Sequence, residues 1–439
     1  MVDFDAERWG GRIERSVALG TRGWRCATCG AELGVATPLP FRCPNATRDD
    51  PRHVLHIVPS GVAGRPPGIH HPFLNFDHDL AWAGYAAAHG IDLLGRLAIV
   101  AELDDAIRRV DDVGFVVTPF ARSDVLSDEL GFAPAGGIWV KDETGGVAGS
   151  HKARFLFAIL LHLRAAEELG HLTERPPLAI ASCGNAALAA AVLAQAAGWP
   201  LDVYVPTWMS DTVGERLDAL GASIHRCPRR DDDPAGDPAL LRFRDAVVAG
   251  AIPFTVQGPE NALCLDGGRT IGWEIGCQLE AAGLDGLDRV FIQVGGGALA
   301  SALSTGLGMK WAQPVALHAV QAEGCAPLAR AWELVKGVDD PARMWAAAMT
   351  PWDDPVSVAD GILDDETYDW VGVANEMRRT GGGTVVAPET AIVEAHVLAQ
   401  RAGFDVSATG SAGLAGVLTS RDAISPSERI AVVMSGVAR

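Results

Sequence analysis

The stretch that decides the fold runs from residue 178 to residue 205 and reads LAIASCGNAALAAAVLAQAAGWPLDVYV. Its apolar ends predict β-strands at 178–181 and 201–205. The alanine-rich run between them, 186–197, predicts a helix that ends at Gly198. Polar residues interrupt the run, so we do not interpret it as a membrane span. A strand, a helix and a second strand in so short a unit are typical of a parallel sheet covered by helices.

The same alternation continues on both sides of this stretch. An aromatic and apolar pattern with helical spacing covers residues 73–103, and β-branched runs begin near Phe115. Further strands are predicted at 138–140, 290–294 and 430–434, and further helices at 151–169 and 213–220. Strands that alternate with helices predict an α/β protein whose parallel strands are covered on both faces.

The composition excludes several classes of partner. The chain has 439 residues, enough for two or three domains with a large buried core. Its 55 acidic residues against 36 Lys and Arg give a formal charge of −19, whereas nucleic acids and acidic membranes bind basic surfaces. We therefore expect no nucleic-acid partner and no membrane. An anionic small molecule is still compatible, because a local site can oppose the net charge.

The cysteines and the N-terminus favour a reducing cytoplasm. No apolar segment follows a basic start, so no secretory signal is expected. Five of the eight cysteines are scattered among apolar or small neighbours, unlike the dense pattern of a secreted disulfide protein. The other three lie in the first 65 residues, which are rich in Cys, Arg, Gly and Pro and look like a small appended module.

Three predicted loops share one layout, in which an apolar strand leads through a small polar loop into a helix. They are residues 142–152, 182–185 and 295–297. In an open α/β sheet such loops lie at the carboxyl ends of the strands, where ligands bind. Helix N-termini present free amides and a positive dipole end, so we expect several anion sites along one edge.

Each of these features also has a purely structural interpretation. The glycines at 295–297 either approach a phosphate or form a tight turn. Lys152, at a helix start that disfavours its ammonium form, is either a Schiff-base lysine or a solvated one. Ser182 either caps a helix or helps to hold a carboxylate, and Ser435 alone would be a turn residue. A second triple glycine, 381–383, precedes a strand and is interpreted as a turn.

The order of the motifs is more specific than any one of them. The chain carries SHK at 150–152, SCGN at 182–185, GGGALAS at 295–301 and a final SG at 435–436. In this order they resemble the tryptophan synthase β and threonine synthase-like superfamily of pyridoxal-phosphate enzymes, fold type II, over residues 115–439. Further matching stretches are Thr118-Pro119, DGGRTIGWEI from Asp266, VQAEGCAPLARA from Val320 and TGSAGLAG from Thr409.

The resemblance implies a fold and a domain division. The fold is two open, twisted, mostly parallel sheets covered by helices, with a small Cys-containing N-terminal extension. We predict the extension over 1–65, a large cofactor domain from 66–170 and 255–439, and a small α/β domain over 171–254. A homodimer is also implied by the resemblance.

The resemblance also assigns roles within the site. Lys152 would hold pyridoxal 5'-phosphate as a Schiff base and move the α-proton of the substrate. The substrate carboxylate would be held by Ser182, Cys183, Gly184 and Asn185, with Asn185 also beside the cofactor ring. Ser435 would face the pyridine nitrogen. The phosphate would be cradled by Gly295, Gly296, Gly297, Ala298 and Leu299.

The middle residue of the SHK motif allows two interpretations. His151 either titrates near neutrality and contacts the cofactor, or simply packs at the start of the helix.

Three N-terminal cysteines predict a metal site. Cys26 and Cys29 form a knuckle-like pair, and Cys43 follows at a spacing seen in zinc ribbons. A fourth cysteine is missing, so His53 or His56 would complete a structural Cys3His zinc site. The other interpretation is a ribbon that has lost its metal.

The expected function is that of a pyridoxal-phosphate-dependent carbon–oxygen lyase or synthase acting on a small L-amino acid. After Lys152 removes the α-proton, a β or γ substituent would be eliminated or replaced. Threonine synthase-like chemistry on a phosphorylated homoserine leads, with a serine/threonine dehydratase-type ammonia-lyase and a β-replacement synthase as alternatives. A non-catalytic cofactor-binding protein is disfavoured because the lysine and the serine are both present. A nicotinamide enzyme is disfavoured because the GxGxxG fingerprint is missing.

Overall fold

Strands and helices alternate along the chain in a computed structural model that describes residues 19–47, 50–60, 68, 70–234, 236–311 and 313–439. The strands are β1 (Thr21–Cys26), β2 (Glu32–Gly34), β3 (Leu55–Pro59), β4 (Phe120–Ser123), β5 (Gly137–Asp142), β6 (Leu178–Ala181), β7 (Leu201–Val205), β8 (Ser223–Arg226), β9 (Ile252–Pro253), β10 (Arg289–Gln293), β11 (Ala316–Ala322), β12 (Gly383–Ala387) and β13 (Arg429–Met434). The helices are α1 (Pro72–Asn75), α2 (Ala81–Ala88), α3 (Leu93–Asp111), α4 (Asp124–Glu129), α5 (Lys152–Glu168), α6 (Asn185–Ala197), α7 (Asp211–Ala219), α8 (Pro238–Val248), α9 (Cys264–Ala281), α10 (Ala298–Lys310), α11 (Pro327–Val335), α12 (Trp345–Ala348), α13 (Trp370–Thr380), α14 (Glu389–Arg401) and α15 (Ala408–Thr419). None of these described helices combines the length and the apolar character that crossing a membrane requires.

The larger sheet has six strands in the order β12-β11-β10-β13-β5-β4. Neighbouring strands are parallel, apart from the antiparallel edge pair β4 and β5. Helix α15 packs against β10, β11, β12 and β13, and most residues of the central strands are buried. This is the mostly parallel, helix-covered sheet that the sequence predicts.

The stretch at 178–205 forms the centre of a second sheet. It folds as β6, α6 and β7, and four parallel strands lie in the order β8-β7-β6-β9. Helix α6 begins at Asn185, one residue before the predicted start. It ends at Gly198 as predicted, because this glycine adopts a left-handed φ of 61°.

Two neighbouring helices fix the position of the glycine loop. A Cβ atom on Gly272 of α9 would lie 2.2 Å from the carbonyl oxygen of Leu303 in α10. Only glycine permits such close contact between the two backbones. Because α10 begins directly after residues 295–297, its packing on α9 also holds that loop in place.

The N-terminal extension forms its own antiparallel sheet in the order β2-β1-β3. Trp24 and Cys43 are buried in the same apolar core as the central helices. The carbonyl of Phe41 accepts a hydrogen bond of 2.8 Å from the amide of Ala262, just before α9. The extension is therefore packed onto the rest of the protein. Of the predicted 1–65 extension, residues 1–18, 48–49 and 61–65 lie outside the described part of the chain.

The continuous helical pattern expected at 73–103 is wrong in detail. The chain forms α1, α2 and the start of α3 there, with a 3-10 turn at Asp77–Asp79. Gly90, with a φ of 95°, turns the chain after α2. The Asp92 carboxylate then caps α3 by accepting the amide of Gly95 at 2.8 Å. These local signals interrupt the apolar periodicity.

Candidate functional site

The residues predicted to bind cofactor and substrate line one cavity of about 1270 Å³. They come from the loops that follow β5, β6, β10 and β13, so strand ends of both sheets converge here. The cavity wall includes all of them: Lys152, Ser182, Cys183, Gly184, Asn185, Gly295, Gly296, Gly297, Ala298, Leu299 and Ser435. The loops that the sequence placed at a common edge therefore do meet in space.

Lys152 is the first residue of α5, and it lines the cavity. Desolvation lowers the pKa of its amine below the usual value. The negative charges of Asp364 and Asp369 oppose this shift, whereas the cation of Arg439 adds to it. Within the described part of the chain, no side chain or carbonyl forms a hydrogen bond or an ion pair with Nζ. The amine is therefore available to a ligand in the cavity.

His151 connects the start of α5 to the end of β13 by hydrogen bonds. Its Nδ1 atom lies 2.8 Å from the carbonyl oxygen of Ser435, and its backbone amide donates to the same oxygen at 3.1 Å. Burial lowers the pKa of the ring to about 3. Of the two interpretations of His151, titration near neutrality is therefore wrong, because burial keeps the ring neutral even though the hydrogen bond to Ser435 favours protonation.

The glycine loop presents backbone amides to the cavity. Gly297 has a φ of 92° and occupies the cap of α10. A Cβ atom on Gly295 would lie only 2.9 Å from the Cα atom of Ile362, so a larger residue does not fit there. The amide of Gly296 donates a hydrogen bond to the carboxyl group of Asp364. The loop thus binds an acidic group of the protein itself, as an anion site would.

Residues 182–185 form the second loop, and Ser182 is not the cap of α6. The cap is Gly184, whose amide donates to the Ser182 hydroxyl at 3.3 Å. The side-chain amide of Asn185 donates to the carbonyl of Val437 at 3.5 Å. Cys183 is partly buried, and desolvation raises the pKa of its thiol. The loop meets the cavity at the N-terminus of a 13-residue helix, where a carboxylate is favoured.

A glutamine that the sequence analysis missed holds the hydroxyl of Ser435. The Nε2 atom of Gln293 donates to Ser435 Oγ at 2.7 Å and to the carbonyl of Gly410 at 2.7 Å. Because the Ser435 oxygen accepts this bond, its own proton remains free for an acceptor in the cavity. Gln293 ends β10, and no sequence pattern connects it to the end of β13.

A distant segment brings two carboxyl groups to Lys152. Asp364 lines the cavity, and Asp369 is fully buried nearby. Burial raises the pKa of Asp364 to about 6 and that of Asp369 to about 7. Both groups are therefore partly protonated near neutrality. The sequence analysis missed them because DDETYD at 364–369 has the composition of a surface loop.

A buried network of charges lies beside the loop that leads to Lys152. Arg154, in the first turn of α5, pairs with Glu143 at 2.8 Å and with Glu274 at 2.6 Å. Lys141, near the end of β5, donates to Glu274 at 2.5 Å and to the carbonyl of Thr118 at 2.8 Å. This network joins β5, α5 and α9, and it fixes the direction in which α5 begins.

The N-terminal cysteines form a compact cluster with one histidine. Cys26, Cys29, Cys43 and His53 each place a ligand atom within 4.8 Å of the others. Cys29 Sγ lies 3.5 Å from Cys43 Sγ, and Cys26 Sγ lies 3.4 Å from His53 Nδ1. His56 packs against α13 instead. Of the two predicted histidines, the cluster therefore contains His53.

Comparison with known proteins identifies a family. The family model described as "Pyridoxal-phosphate dependent enzyme" matches residues 113–436. No curated protein matches this chain.

Three solved structures illustrate the similarity of the fold. Threonine deaminase from T.th. has a TM-score of 0.58 at 23% identity, over 77% of this chain and 98% of that one. Diaminopropionate ammonia lyase from Escherichia coli has a TM-score of 0.58 at 18% identity, over 78% and 88%. Maize serine racemase has a TM-score of 0.55 at 19% identity, over 77% and 92%. With the family match and the converging loops, the chain belongs to the pyridoxal-phosphate-dependent enzymes of fold type II.

Proposed function

We propose that this protein is a lyase that removes the α-proton and a β-hydroxyl group from a small L-amino acid. This is the reaction of a serine/threonine dehydratase-type ammonia-lyase. The proposal is carried by one observation, the presence of Lys152 and the protonatable carboxyl group of Asp364 in the same cavity. Elimination of a hydroxyl group needs a base for the α-proton and an acid for the leaving group.

The cavity residues fit the cofactor that the family uses. Lys152 supplies an amine with a lowered pKa, and residues 295–299 supply backbone amides for a phosphate, which would take the Gly296 amide from Asp364. Ser435 supplies a hydroxyl proton for the pyridine nitrogen. When bound, the cofactor supplies an electron sink that acidifies the α-proton of the substrate. A neutral hydroxyl beside the ring nitrogen does not force that nitrogen to be protonated, which favours prompt loss of a β substituent.

The other steps belong to the residues of the chain. The loop at 182–185 orients the substrate by its carboxylate, and Lys152 Nζ takes the α-proton. Asp364 gives a proton to the departing hydroxyl group, which leaves as water. A water molecule then releases the keto acid and ammonia, and the proton held by Lys152 restores the carboxyl group of Asp364.

The threonine synthase-like reaction on a phosphorylated homoserine is the second candidate. Arg229 and Arg439 line the cavity and would suit a phosphate group. The acidic residues of the wall oppose this reaction, since they repel a dianion: Asp237, Asp354, Asp360, Asp364 and Asp365. A phosphate leaving group also needs no protonated carboxyl group beside it. A β-replacement synthase would need, in addition, a site for a second substrate.

Product analysis of the purified holoenzyme tests the proposal. We expect L-serine or L-threonine to yield equal amounts of keto acid and ammonia. Phosphohomoserine should release little phosphate. Threonine and phosphate formed from phosphohomoserine, without keto acid from either hydroxy amino acid, would establish the second candidate instead.

A matched pair of variants tests the role of Asp364. Asp364→Asn should slow keto-acid formation from L-serine by about a hundredfold. It should spare β-chloroalanine, because chloride leaves without a proton. Asp354→Asn, at an exposed position of the same cavity, is the control and should behave as the wild type. Equal losses on serine and chloroalanine would contradict the assignment of Asp364 as the acid.

We also propose that Cys26, Cys29, Cys43 and His53 bind a structural zinc ion. Three thiolates and one imidazole are a common tetrahedral zinc set, and a closed set of four ligands indicates a structural role. Cys26, Cys43 and His53 are buried, whereas Cys29 is exposed. The loop that carries Cys43 also carries Phe41, which binds the segment before α9, so the metal would secure the extension to the core.

Metal analysis tests the zinc proposal. Protein purified without chelator should contain about one zinc per chain, and Cys43→Ser should lose it. Cys277→Ser, at a partly buried cysteine outside the cluster, is the control and should keep the metal. Zinc far below one equivalent in wild-type protein refutes the site.

We also propose a homodimer, on the basis of the family resemblance alone, and a cytoplasmic location, on the basis of the scattered cysteines. Sedimentation velocity on the holoenzyme tests the assembly, and a monomer at micromolar concentration would overturn it.

A further inference from the structure

The side chain of Arg439 enters the cavity between its two walls. A Cβ atom on Gly184 would lie 2.1 Å from Nη1 of Arg439, so the guanidinium touches the cap of α6. A Cβ atom on Gly361 would lie 2.9 Å from Nη2 of the same group. The guanidinium therefore spans the space between the 182–185 loop and the 3-10 turn at Asp360–Ile362.

The backbone that leads to Arg439 forms hydrogen bonds with the loop before Lys152 and with the loop at 182–185. The amide of Val437 donates to the carbonyl of Gly149 at 3.0 Å, just before the SHK motif. The carbonyl of Val437 accepts the side-chain amide of Asn185 at 3.5 Å. The position of the guanidinium is thus set by the loops that would bind cofactor and substrate.

Most hydrogen-bond donors of the Arg439 guanidinium have no partner among the described residues. Its side chain is 20% exposed, and its salt-bridge partner is Asp360, at 3.9 Å, whose own side chain is 73% exposed. No other ion pair and no hydrogen bond joins it to the described residues. A guanidinium offers five donors in a planar fork that matches a carboxylate. The free donors border the same cavity as Lys152.

The 182–185 loop needs such a donor. The amide of Gly184 already bonds to Ser182 Oγ, and the side-chain amide of Asn185 already bonds to Val437. The helix end supplies only a partial positive charge for an incoming carboxylate. Arg439 supplies a full positive charge next to the loop, since its guanidinium lies against Gly184.

We propose that Arg439 binds the α-carboxylate of the substrate against the loop at 182–185, as a substrate-positioning residue that bridges the two walls of the cavity. This inference rests on the proposed amino-acid substrate. A bidentate contact would hold the amino acid with its α-carbon turned toward Lys152.

Alkylation of Cys183 tests carboxylate binding by Arg439 without any turnover. In this reaction the thiolate displaces iodide from iodoacetate, which is anionic, or from iodoacetamide, which is neutral. Cys183 lies in the loop, and its pKa responds to the cation of Arg439. In the holoenzyme, Arg439→Gln should lower the iodoacetate-to-iodoacetamide rate ratio at Cys183 by about tenfold. Site-resolved mass spectrometry gives the ratio, with Cys277 as the internal reference.

Arg343→Gln is the matched control, since Arg343 is 83% exposed and lies outside the cavity. Its ratio at Cys183 should equal that of the wild type. If Arg439→Gln also leaves the ratio unchanged, carboxylate binding by Arg439 is refuted, whether or not the enzyme is a lyase.

Steady-state kinetics then identify the anion. Arg439→Gln should raise KM for L-serine by about 10- to 100-fold with a smaller change in kcat, and Arg439→Lys should restore part of the loss. L-Serinamide, which lacks the α-carboxylate, should bind weakly to both wild type and variant. If the variant impairs phosphohomoserine but not serine, Arg439 binds a distal anion and the α-carboxylate assignment is overturned.

Discussion

Lys141 and Lys152 lie on either side of one loop, and desolvation lowers the pKa of both amines. Their partners differ completely. Lys141 donates to the carbonyl of Thr118 and to the side chains of Glu274 and Gln278, so all three of its protons are used. The amine of Lys152 forms no hydrogen bond or ion pair with the described residues. A desolvated lysine is therefore structural or reactive according to its hydrogen bonds, and its lowered pKa alone does not decide which.

The carboxyl groups near the two lysines differ in the same way. Burial opposes the ionisation of Glu274, but Arg154 and Lys141 hold its pKa below the usual value. Burial instead raises the pKa of Asp369 to about 7, because no cation among the described residues bonds to it directly. One lysine thus belongs to a satisfied ionic network, and the other lies among groups that exchange protons near neutrality.

Removing the amine of Lys152 should have the largest effect. Lys152→Ala should lower turnover by at least about a thousandfold and abolish the visible band of the lysine-bound cofactor. Borohydride reduction of the wild type, followed by peptide mapping, should place the cofactor on Lys152 and none on Lys141. A reduced adduct on Lys141 would show that Lys141, and not Lys152, is the reactive lysine.

Breaking the network of Lys141 should cost stability and spare the chemistry. Lys141→Met leaves the buried carboxylate of Glu274 short of one cation, so the free energy of unfolding should fall by about 3–5 kcal/mol. Urea denaturation measures this loss. Lys336→Met, at an exposed ion pair with Glu333, is the control and should change stability by less than about 0.5 kcal/mol. A loss below about 1 kcal/mol for Lys141→Met would show that the network is not needed.

The raised pKa of Asp369 predicts a pH dependence of stability. Its folded pKa of about 7 lies above the unfolded value, so its contribution is complete below about pH 4 and is lost as the pH rises toward 7. Between pH 4 and pH 7 the free energy of unfolding of Asp369→Asn should fall by up to about 4 kcal/mol less than that of the wild type. Unfolding free energies at pH 4, 5.5 and 7 measure it. Parallel pH profiles of wild type and variant would mean that the carboxyl group titrates normally.

Substitution of Thr118 should have the smallest effect on the stability of the buried charge network. Its hydroxyl donates to Glu143 at 2.5 Å, and Thr118→Val removes this bond while keeping the shape of the side chain. The free energy of unfolding should fall by about 1 kcal/mol, with the cofactor band unchanged. A shifted band would mean that the network reaches the chemistry of Lys152 directly.

The comparison also shows what sequence reasoning can find. Lys152 follows a strand and a small polar loop and opens a helix, and these signals all lie within residues 140–152. The partners that define Lys141 lie elsewhere, since Glu274 is 133 positions away in the chain. Asp364 and Arg439 were missed for the same reason, because nothing local distinguishes them from surface residues.

The sequence by itself predicted the α/β class and the family, placed Lys152 and the glycine loop at a common edge of the sheet, and named three of the four residues in the cysteine cluster. These depend on residues close together in the chain, where backbone geometry dictates the pattern. The tertiary structure alone decided which of two histidines joins the cluster and that His151 stays neutral. It alone placed Gln293, Asp364 and Arg439 at the cavity. Burial, electric fields and hydrogen-bond partners arise only when distant segments meet, so no local pattern encodes them.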